Sequence, residues 1–451
     1  MLEQRTRLLL ILLTLSAVLH GFKLAEPREV VFDEVHFGGF INNYLEGNLF
    51  FDIHPPHAKL LIAGVAAAGG YRGDQTFQEL GGAIDKVSPA LLRLVPAVAG
   101  TLIPLVLFTF LLHLGASPMA AFLGGLAVLL DNSLLVQTRL ITLDGLLLLG
   151  IFGSLSCFVA ALNCTDRVRR TRLSLFAGLL AGLAAGVKFT GLAALALIGM
   201  CLALNFLCGP SWKKLRVAAS HSVWVLTGAL AVYAAGWVVH FWLLTESAPG
   251  FAWPTPTGDL IADTVEIHQR MLSANYGLRI SHPHSSPWWG WPLMTRPVFY
   301  WDGGEGNSMH FVGNPAVWWG TTLGLVAVAT NLVLLKVTDM QLPSAVKAWP
   351  RLLWIPALGY LISLAPMIPI KRPLFLYHYL SPMIFALCLV LLWLDHVGWT
   401  RPGGFRNQRW SFHLATTVLV LGFLAASPFM FAFIAMPEYK AFFYAHLPIW
   451  D

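Results

Sequence analysis

The stretch "VFDEVHFGGFINNYLEGNLFFDIHPPHAKLL", Val31–Leu61, combines acids, histidines and a Pro-Pro pair beside long apolar segments. Its middle part places apolar residues on one face of a helix, at Phe37, Phe40, Ile41, Tyr44 and Leu45. Asp33 falls at the N-cap position, Glu34 in the first turn, and Gly47 at the end of this helix. The Pro-Pro pair begins a second helix. We expect both helices to lie flat at a membrane surface.

The composition requires a membrane around this stretch. The chain has 451 residues, of which 57% are hydrophobic and 12% are charged, and its mean hydropathy is +0.67. A soluble domain needs more polar surface, so most of the protein must face lipid. Since no long polar block interrupts the apolar segments, we interpret residues 1–451 as a single integral membrane domain.

The hydropathy pattern predicts an all-α protein with about eleven membrane spans, since a spanning helix needs roughly 20 apolar residues. We place the spans near residues 8–24, 91–113, 118–136, 141–162, 173–187, 190–208, 218–243, 314–335, 352–369, 374–394 and 412–434. The two longest connections are then 25–90 and 244–313, and function should be concentrated there.

Basic residues in the short connections predict the orientation. Arg5 and Arg7, the run around Arg167–Arg172, and the later basic connections all fall on one side of the membrane. By the positive-inside rule that side is cytoplasmic, so the N-terminus lies inside and the C-terminus outside. The net charge of +6 therefore reflects orientation, and no basic domain is present to bind nucleic acid. The first span lacks a small-residue cleavage site, so we expect it to be retained.

Asp33 has two interpretations. It is a helix cap, or it belongs to a functional site. A cap needs one carboxylate, whereas Glu34 and His36 follow at once and Asp52, His54 and His57 come shortly after. This density of polar groups favours a site at the outer membrane face.

Charged residues at the predicted outer ends of other spans support such a site. They are Arg93, Arg139, Asp144, Lys188, Lys371 and Arg372. Each cation alone is explained by snorkelling to the nearest headgroup. Together with Asp33 and Glu34 they form an outer layer suited to a negatively charged lipid headgroup.

Metal and disulfide chemistry are not favoured by the sequence. His54 and His57, and His282 and His284, could each bring two imidazoles together, but the neighbouring prolines impose extended backbone and no cysteine is near. The five cysteines lack metal spacing and lie in or beside spans. We expect no metal site. Trp288, with Trp289 and Trp291 in a Trp- and Pro-rich part of the second outer connection, either anchors the chain at the bilayer boundary or offers an apolar face to a sugar or a peptide.

Several stretches resemble the protein O-mannosyltransferases. "FDEVHFG" and "NLFFDIHPPHAKLL" match the first outer loop of that family. Further matches follow in order: "LRLVPAVAGTLIPL", "DNSLLVQTRLITLD", "GLAAGVKFTGL", "SHPHSSPWWGWPLMTRPVFYW", "VGNPAVWW" and "LFLYHYLSP". The resemblance implies the membrane core of the glycosyltransferase C superfamily. Eukaryotic members carry a β-trefoil MIR domain between the seventh and eighth spans, which about 70 residues cannot hold. The chain thus resembles the shorter, bacterial-type members without this domain.

The resemblance implies an activity: inverting transfer of mannose from a polyprenyl-phosphate carrier to Ser or Thr hydroxyls of proteins. The implied partners are the lipid-linked donor, the acceptor protein, membrane lipid and the secretion machinery. The implied location is the bacterial inner membrane, with the active site on its extracytoplasmic side. No essential cofactor is expected.

The chemistry assigns roles to the matched residues. Asp33 is the expected general base toward the acceptor hydroxyl. Glu34 is expected to orient hydroxyls and to raise the pKa of Asp33 by repulsion. The phosphate leaving group needs positive charge, for which we select Arg93, Lys188, Arg372 and Lys371. The same motifs contain our candidates for shaping the sugar and acceptor site: His36, Asp52, His54, Lys59, Arg139, Asp144, His282, His284, Trp288, His378 and Tyr379.

Two alternatives remain open. The first keeps the lipid-linked donor but changes the sugar, or uses a lipid or glycan hydroxyl as acceptor. The second is a transporter that binds a lipid phosphate with the same cations. A transporter should show similar halves or broken helices at mid-membrane. The sequence has no clear internal repeat, and its polar groups cluster at one face.

Overall fold

The structure is a computed structural model that describes residues 2–247, 256–279, 282–337, 353–400, 408–432, 434, 436–447 and 450. Helices dominate it, as predicted. In chain order they are α1 Leu2–Gly21, α2 Glu34–Glu46, α3 His57–Ala68, α4 Pro89–His113, α5 Pro118–Leu129, α6 Asn132–Gln137, α7 Asp144–Leu162, α8 Arg167–Val187, α9 Leu192–Leu207, α10 Trp212–Leu243, α11 Leu260–Gly277, α12 Pro315–Val337, α13 Trp354–Leu364, α14 Leu380–His396, α15 Gln408–Met430 and α16 Pro437–His446. Short 3₁₀ turns occur at Phe189–Gly191, Trp291–Leu293, Ala365–Met367 and Leu376–Tyr379.

In the described part of the chain, 7 helical stretches are long and apolar enough to cross a membrane. They are Pro89–His113, Asp144–Leu162, Phe189–Leu207, Trp212–Leu243, Pro315–Leu334, Leu376–His396 and Trp410–Met430. Three shorter apolar helices are His57–Ala68, Pro118–Leu129 and Trp354–Met367. Most of the predicted spans thus coincide with helices, whereas the total of about eleven remains a prediction.

The span predicted at 118–136 is not one helix. It divides into α5 and α6, and Asp131 lies at the break as the N-cap of α6. The buried Asp131 carboxylate accepts hydrogen bonds from the Leu134 amide and from the Trp318 indole, both at 2.9 Å. Because a buried carboxylate needs such donors, the chain interrupts its helix to supply them.

The helices α8 and α10 approach each other closely near the outer loop. A Cβ atom at Gly186 of α8 or at Gly236 of α10 would lie 2.2 Å from the His57 ring. The imidazole of His57 therefore occupies the space left by two glycines, and its Nε2 pairs with the Val232 carbonyl at 2.8 Å. This contact fixes the start of α3 against the membrane helices.

The first outer stretch, residues 25–90, contains α2 and α3. Phe37, Ile41 and Tyr44 form the buried face of α2, in agreement with the predicted spacing. The helix ends at Gly47, whose φ of 78° is the left-handed conformation that glycine adopts without a steric penalty.

The second outer stretch contains α11 and an antiparallel hairpin, β1 Val298–Gly304 and β2 Asn307–Phe311, which the all-α prediction missed. The hairpin is attached to α16. The buried Lys440 ammonium donates to the Ser308 carbonyl at 3.0 Å, and the Tyr444 hydroxyl pairs with His310 at 2.8 Å. The α16 helix therefore holds β2 in place.

Candidate active site

Asp33 lies at the N-cap position of α2, as predicted, and is half-buried. Its backbone is already helical, with φ −65° and ψ −5°, and its side chain forms no capping hydrogen bond. The interpretation of Asp33 as a cap alone is therefore wrong. Among the described residues none donates a hydrogen bond to this carboxylate, which leaves its oxygens available to a substrate.

The residue before Asp33 joins the two outer stretches. Phe32 has a φ of 49°, a left-handed conformation that is uncommon outside glycine. Its amide donates to the Tyr300 carbonyl at 3.1 Å. Its ring is stacked on the Tyr300 ring, with centroids 3.9 Å apart and planes 6° apart. Strained backbone of this kind persists where surrounding contacts hold it, and here the hairpin supplies them.

Glu34 and Arg93 form a buried ion pair directly behind Asp33. Both side chains have a relative exposure of 0%. The guanidinium donates to the two carboxylate oxygens at 2.8 and 2.9 Å, and the amides of Val31 and Ile141 each add a bond of 3.0 Å. Arg93 also donates to the carbonyls of Leu24, Pro27 and Glu29. The pair fixes the loop that carries Asp33.

This geometry corrects two predicted roles. Glu34 cannot orient substrate hydroxyls, because Arg93 and two backbone amides occupy its carboxylate. The Arg93 guanidinium likewise donates to the Glu34 carboxylate and to backbone carbonyl groups and is shielded from solvent, so it does not face the donor phosphate. Both residues instead hold Asp33 in position.

A second ion pair lies across the site. The Lys188 ammonium donates to the Asp144 carboxylate at 2.8 Å, and the Gln137 amide donates to the other oxygen of Asp144 at 2.6 Å. The ammonium lies 5.5 Å from the centroid of the Tyr377 ring, within the range of a cation–π contact. Lys188 and Asp144, both predicted as site residues, therefore form one polar cluster with Gln137.

A third pair comes from the His-Pro-Pro segment. The buried Lys59 ammonium pairs with Asp52 and also donates to the His54 carbonyl at 2.8 Å. Burial and the nearby cations of Lys188, Arg372 and Lys59 hold the pKa of His54 well below its ordinary value. His54 is therefore neutral at physiological pH and can serve as a hydrogen-bonding group.

Arg372 differs from the other buried cations. Its Nε donates to the Asn275 side chain at 2.9 Å, and one Nη lies 3.5 Å from His378. Among the described residues no carboxylate lies within ion-pair distance of its guanidinium. A half-buried cation with only neutral partners retains its charge for an anionic ligand. The neighbouring Lys371 is exposed instead.

Ionisable side chains from several elements interact electrostatically with the Asp33 carboxylate: His36, Asp52, Asp144, Lys188 and Arg372. Burial raises the pKa of Asp33 to about 6, and Lys188 and His36 oppose this rise. The acids that add to it are Asp144 and Asp52, whereas the sequence pointed to Glu34. Asp33 is thus mostly ionised at neutral pH and still able to accept a proton.

The structure places the other predicted site residues either near the ionisable side chains that surround Asp33 or away from them. His36 is exposed one turn along α2, and Trp288 is half-buried. His282 lies against Phe375, with ring centroids 4.9 Å apart, and 5.8 Å from His284. Arg139 contacts the Phe22 carbonyl and the Phe431 ring instead of this group. Tyr379 is buried with its hydroxyl 3.4 Å from that of Tyr360, so it belongs to the core.

Sequence reasoning missed several members of the site: Gln137, Asn275, Tyr300 and Tyr377. Three of them lie inside the stretches that carry the family resemblance, but they are uncharged, so no charge marks them in the sequence. Their contacts bridge residues far apart in the chain. In the described part of the chain, no group of three or more His, Cys, Asp or Glu residues could hold a metal ion.

Two family models match the chain. The dolichyl-phosphate-mannose-protein mannosyltransferase model matches residues 10–245, which is more than half of the sequence. The chain belongs to this family. The model of the C-terminal four-transmembrane region of protein O-mannosyltransferases matches residues 260–441. Together the two models match most of the length of this protein O-mannosyltransferase family member.

Curated relatives agree with this assignment. Protein O-mannosyltransferase 1 of Drosophila pseudoobscura pseudoobscura is 36% identical over 248 residues, 51% of this chain and 26% of the relative. Dolichyl-phosphate-mannose--protein mannosyltransferase 1 of Saccharomyces cerevisiae is 31% identical over 291 residues, 60% of this chain and 35% of the relative. The matched regions thus span about a third or less of these relatives.

Solved structures share the fold. The S. cerevisiae Pmt1-Pmt2 complex bound to the sugar donor gives a TM-score of 0.89 at 20% identity, covering 99% of this chain and 93% of that chain. ArnT from Cupriavidus metallidurans bound to undecaprenyl phosphate gives 0.53 at 16% identity, covering 96% and 75%. The predicted glycosyltransferase C fold is confirmed.

Proposed function

We propose that this chain transfers mannose from a polyprenyl-phosphate-linked donor to Ser or Thr hydroxyls of proteins, with inversion at C1. The relatives are mannosyltransferases named for a dolichyl-phosphate-mannose donor and protein acceptors. The single observation that carries the proposal is the Asp33 carboxylate, which is half-buried, receives no hydrogen bond from the described residues, and interacts electrostatically with the cations of Lys188 and Arg372.

Asp33 is the general base of this reaction. An acceptor hydroxyl becomes a competent nucleophile when a carboxylate within hydrogen-bond reach takes its proton. Attack on C1 from the face opposite the phosphate displaces the carrier in one step, through an oxocarbenium-like transition state. The new glycosidic bond forms as the C1–O bond to phosphate breaks, and Asp33 retains the hydroxyl proton. The pKa of about 6 allows this carboxyl to accept that proton near neutral pH.

Arg372 and Lys188 stabilise the departing lipid phosphate. The leaving group gains negative charge as C1–O cleavage proceeds, so fixed cations lower the transition-state energy. Among the described residues Arg372 has only neutral partners, and Lys188 shares its charge with Asp144. Lys59 is paired with Asp52 and positions the His54 segment. Because the donor carries one phosphate and these cations face the site, the mechanism uses no metal ion.

The predicted topology completes the proposal. The N-terminus is cytoplasmic, and the site and C-terminus are extracytoplasmic, in the inner membrane of a bacterium. Residues 1–451 form one membrane domain with outer loops near 25–90 and 244–313, without an inserted MIR domain. The close succession of the two family matches, at 245 and 260, supports this organisation. The secretion machinery would present unfolded acceptors to this face.

The test is mannose transfer from a short-chain polyprenyl-phosphate-mannose to a Ser/Thr peptide by the purified chain. Asp33→Asn should lower kcat by roughly 10²–10⁴-fold while donor binding is retained. Asp74→Asn, which changes an exposed acid of the same outer stretch, is the matched control. Undiminished transfer by the Asp33 variant would refute the assignment. A screen of donors and acceptors distinguishes mannose and peptide from other lipid-linked sugars or other hydroxyls.

A further inference from the structure

The Asp144 carboxylate is the centre of a hydrogen-bonded chain that reaches the outer hairpin. It accepts from the Lys188 ammonium at 2.8 Å and from the Gln137 amide nitrogen at 2.6 Å. The Tyr300 hydroxyl of β1 pairs with the Gln137 amide oxygen. Tyr300 and Gln137 are 163 positions apart in the sequence, so this bond connects the membrane helices to the second outer stretch.

The direction of every bond in this chain is fixed by chemistry. An ionised carboxylate only accepts, so Gln137 must present its NH₂ group to Asp144. The amide oxygen then faces Tyr300, and since an amide oxygen only accepts, the tyrosine must donate. Burial raises the pKa of Tyr300 well above its ordinary value, so the phenol keeps the proton that it donates. Tyr300 thereby selects one orientation of the Gln137 amide.

The same tyrosine touches the turn that carries the base. Its ring is stacked on Phe32, with 3.9 Å between centroids, and its carbonyl accepts the Phe32 amide. Tyr300 therefore contacts two parts of the site. Its ring and backbone contact Phe32, which precedes Asp33. Its hydroxyl contacts Gln137, which is bonded to Asp144, the partner of Lys188.

We propose that Tyr300 is a positioning residue for the transfer reaction. It acts through Gln137 and Asp144, which hold the ammonium of Lys188 at a fixed place relative to Asp33. This inference rests on the proposed function, in which Asp33 is the base and Lys188 faces the lipid phosphate. Without the phenol hydroxyl the Gln137 amide can turn its oxygen toward Asp144, which repels that carboxylate and releases Lys188 from its position.

A positioning role has a signature in the pH dependence of the reaction. The titratable groups that interact electrostatically with Asp33 are His36, Asp52, Asp144, Lys188, Tyr300, Arg372 and Tyr377. Burial is the largest cause that raises the pKa of Asp33, and Lys188 is the largest that opposes it. If the ammonium moves away, the pKa of Asp33 rises further. The acidic limb of kcat/KM must then move to higher pH.

The experiment measures kcat/KM against pH for the full chain in detergent or nanodiscs, with Tyr300→Phe as the principal variant. The substitution keeps the ring on Phe32 and removes only the hydroxyl. We expect kcat to fall about tenfold, as for loss of one hydrogen bond in a buried network. The acidic limb should shift upward by roughly half a pH unit or more. Tyr439→Phe removes a hydroxyl bonded to the Ala425 carbonyl away from the site and serves as the control.

A second variant keeps the test decisive if Tyr300→Phe folds poorly. Gln137→Met removes the amide and should produce the same shift. The double variant should add little to either single change, because the two residues act through one contact. An acidic limb that stays at its wild-type position in both variants would overturn the inference, whatever happens to kcat. Undiminished transfer by Asp33→Asn would instead overturn the proposed function, so the two failures are distinguishable.

Discussion

The Arg93 guanidinium donates hydrogen bonds of 2.8 and 2.9 Å to the two carboxylate oxygens of Glu34, and both side chains are excluded from solvent. This pair connects α4 to the first turn of α2. Asp33, the neighbour of Glu34, owes its position to a contact between residues 59 apart in the sequence. The two adjacent acids thus differ in their contacts: Glu34 is buried in an ion pair that supports the loop, and Asp33 receives no hydrogen bond from the described residues.

The first prediction concerns this buried ion pair. Arg93→Met leaves the Glu34 charge buried without its partner and should lower the free energy of unfolding by about 3–5 kcal/mol. The double change Glu34→Leu with Arg93→Met should be less damaging than the sum of the single changes, because no charge remains unpaired. Thermal unfolding followed by tryptophan fluorescence measures both effects.

An exposed pair provides the control for that measurement. Glu3 and Arg7 lie one turn apart on α1, with side chains 79% and 73% exposed. Removing Arg7 should change the free energy of unfolding by less than about 1 kcal/mol. Equal losses for Arg7→Met and Arg93→Met would contradict the structural role assigned to Arg93.

The second prediction is a pH limb set by Asp33. The base must be ionised to accept a proton, and its pKa is about 6. Transfer activity should therefore be half-maximal near pH 6, fall at lower pH, and approach its plateau about one pH unit above the pKa. A kcat/KM profile between pH 4.5 and 8 measures it, and a limb near the ordinary aspartate pKa would show that burial does not govern this carboxyl.

The third prediction is that Asp33→Asn stabilises the protein at neutral pH. Between the ordinary aspartate pKa of 3.8 and the raised pKa of about 6, the folded state holds a proton that the unfolded chain has released, so wild-type stability falls as the pH rises. Above pH 6 the asparagine variant should be more stable by at most about 3 kcal/mol. Unfolding curves at pH 7 and below pH 4 check this, since the difference should vanish at the lower pH.

The fourth prediction separates two adjacent cations. Arg372 is half-buried with neutral partners, whereas Lys371 is exposed. Arg372→Ala should weaken donor use, with a fall in kcat/KM of roughly 10²-fold, since it removes a fixed charge from the phosphate. Lys371→Ala should have a much smaller effect. Comparable losses in both variants would indicate that the segment, and not the guanidinium, binds the donor.

The fifth prediction is that transfer persists in EDTA. The described residues contain no cluster of three or more metal-ligating side chains, and Arg372 and Lys188 supply the positive charge at the phosphate. Activity assays after dialysis against EDTA, with and without added Mg²⁺ or Mn²⁺, measure the requirement. A tenfold loss restored by metal would require a different account of leaving-group stabilisation.

Local signals in the sequence are sufficient to predict the α2 helix and the N-cap position of Asp33. The apolar spacing, the acid at the start and Gly47 at the end each act within a few residues, so the helix could be located without tertiary information. Charge identified Lys188, Asp144 and Arg372 for the same reason. What these residues contact could not be read locally, because the answer depends on the packing of distant helices.

The errors follow from that limit. The sequence alone favours Arg93 as a phosphate ligand, because its partner Glu34 lies in another helix. The break at Asp131 was invisible in hydropathy, since its donors come from residues such as Trp318 far along the chain. Tyr300 carries no charge and sits on a hairpin that the helical pattern obscured, so its link to Gln137 appeared only in three dimensions.

His57 lodges between two glycines, one on α8 and one on α10, where any added side chain would collide with its ring. The imidazole thus fills the space that the two glycines leave between α8 and α10. Lys188 follows Gly186 by two positions, so the His57 contact on α8 is close to Lys188 in the chain. A substitution that fills either glycine would displace His57, and with it the start of α3, next to Lys188.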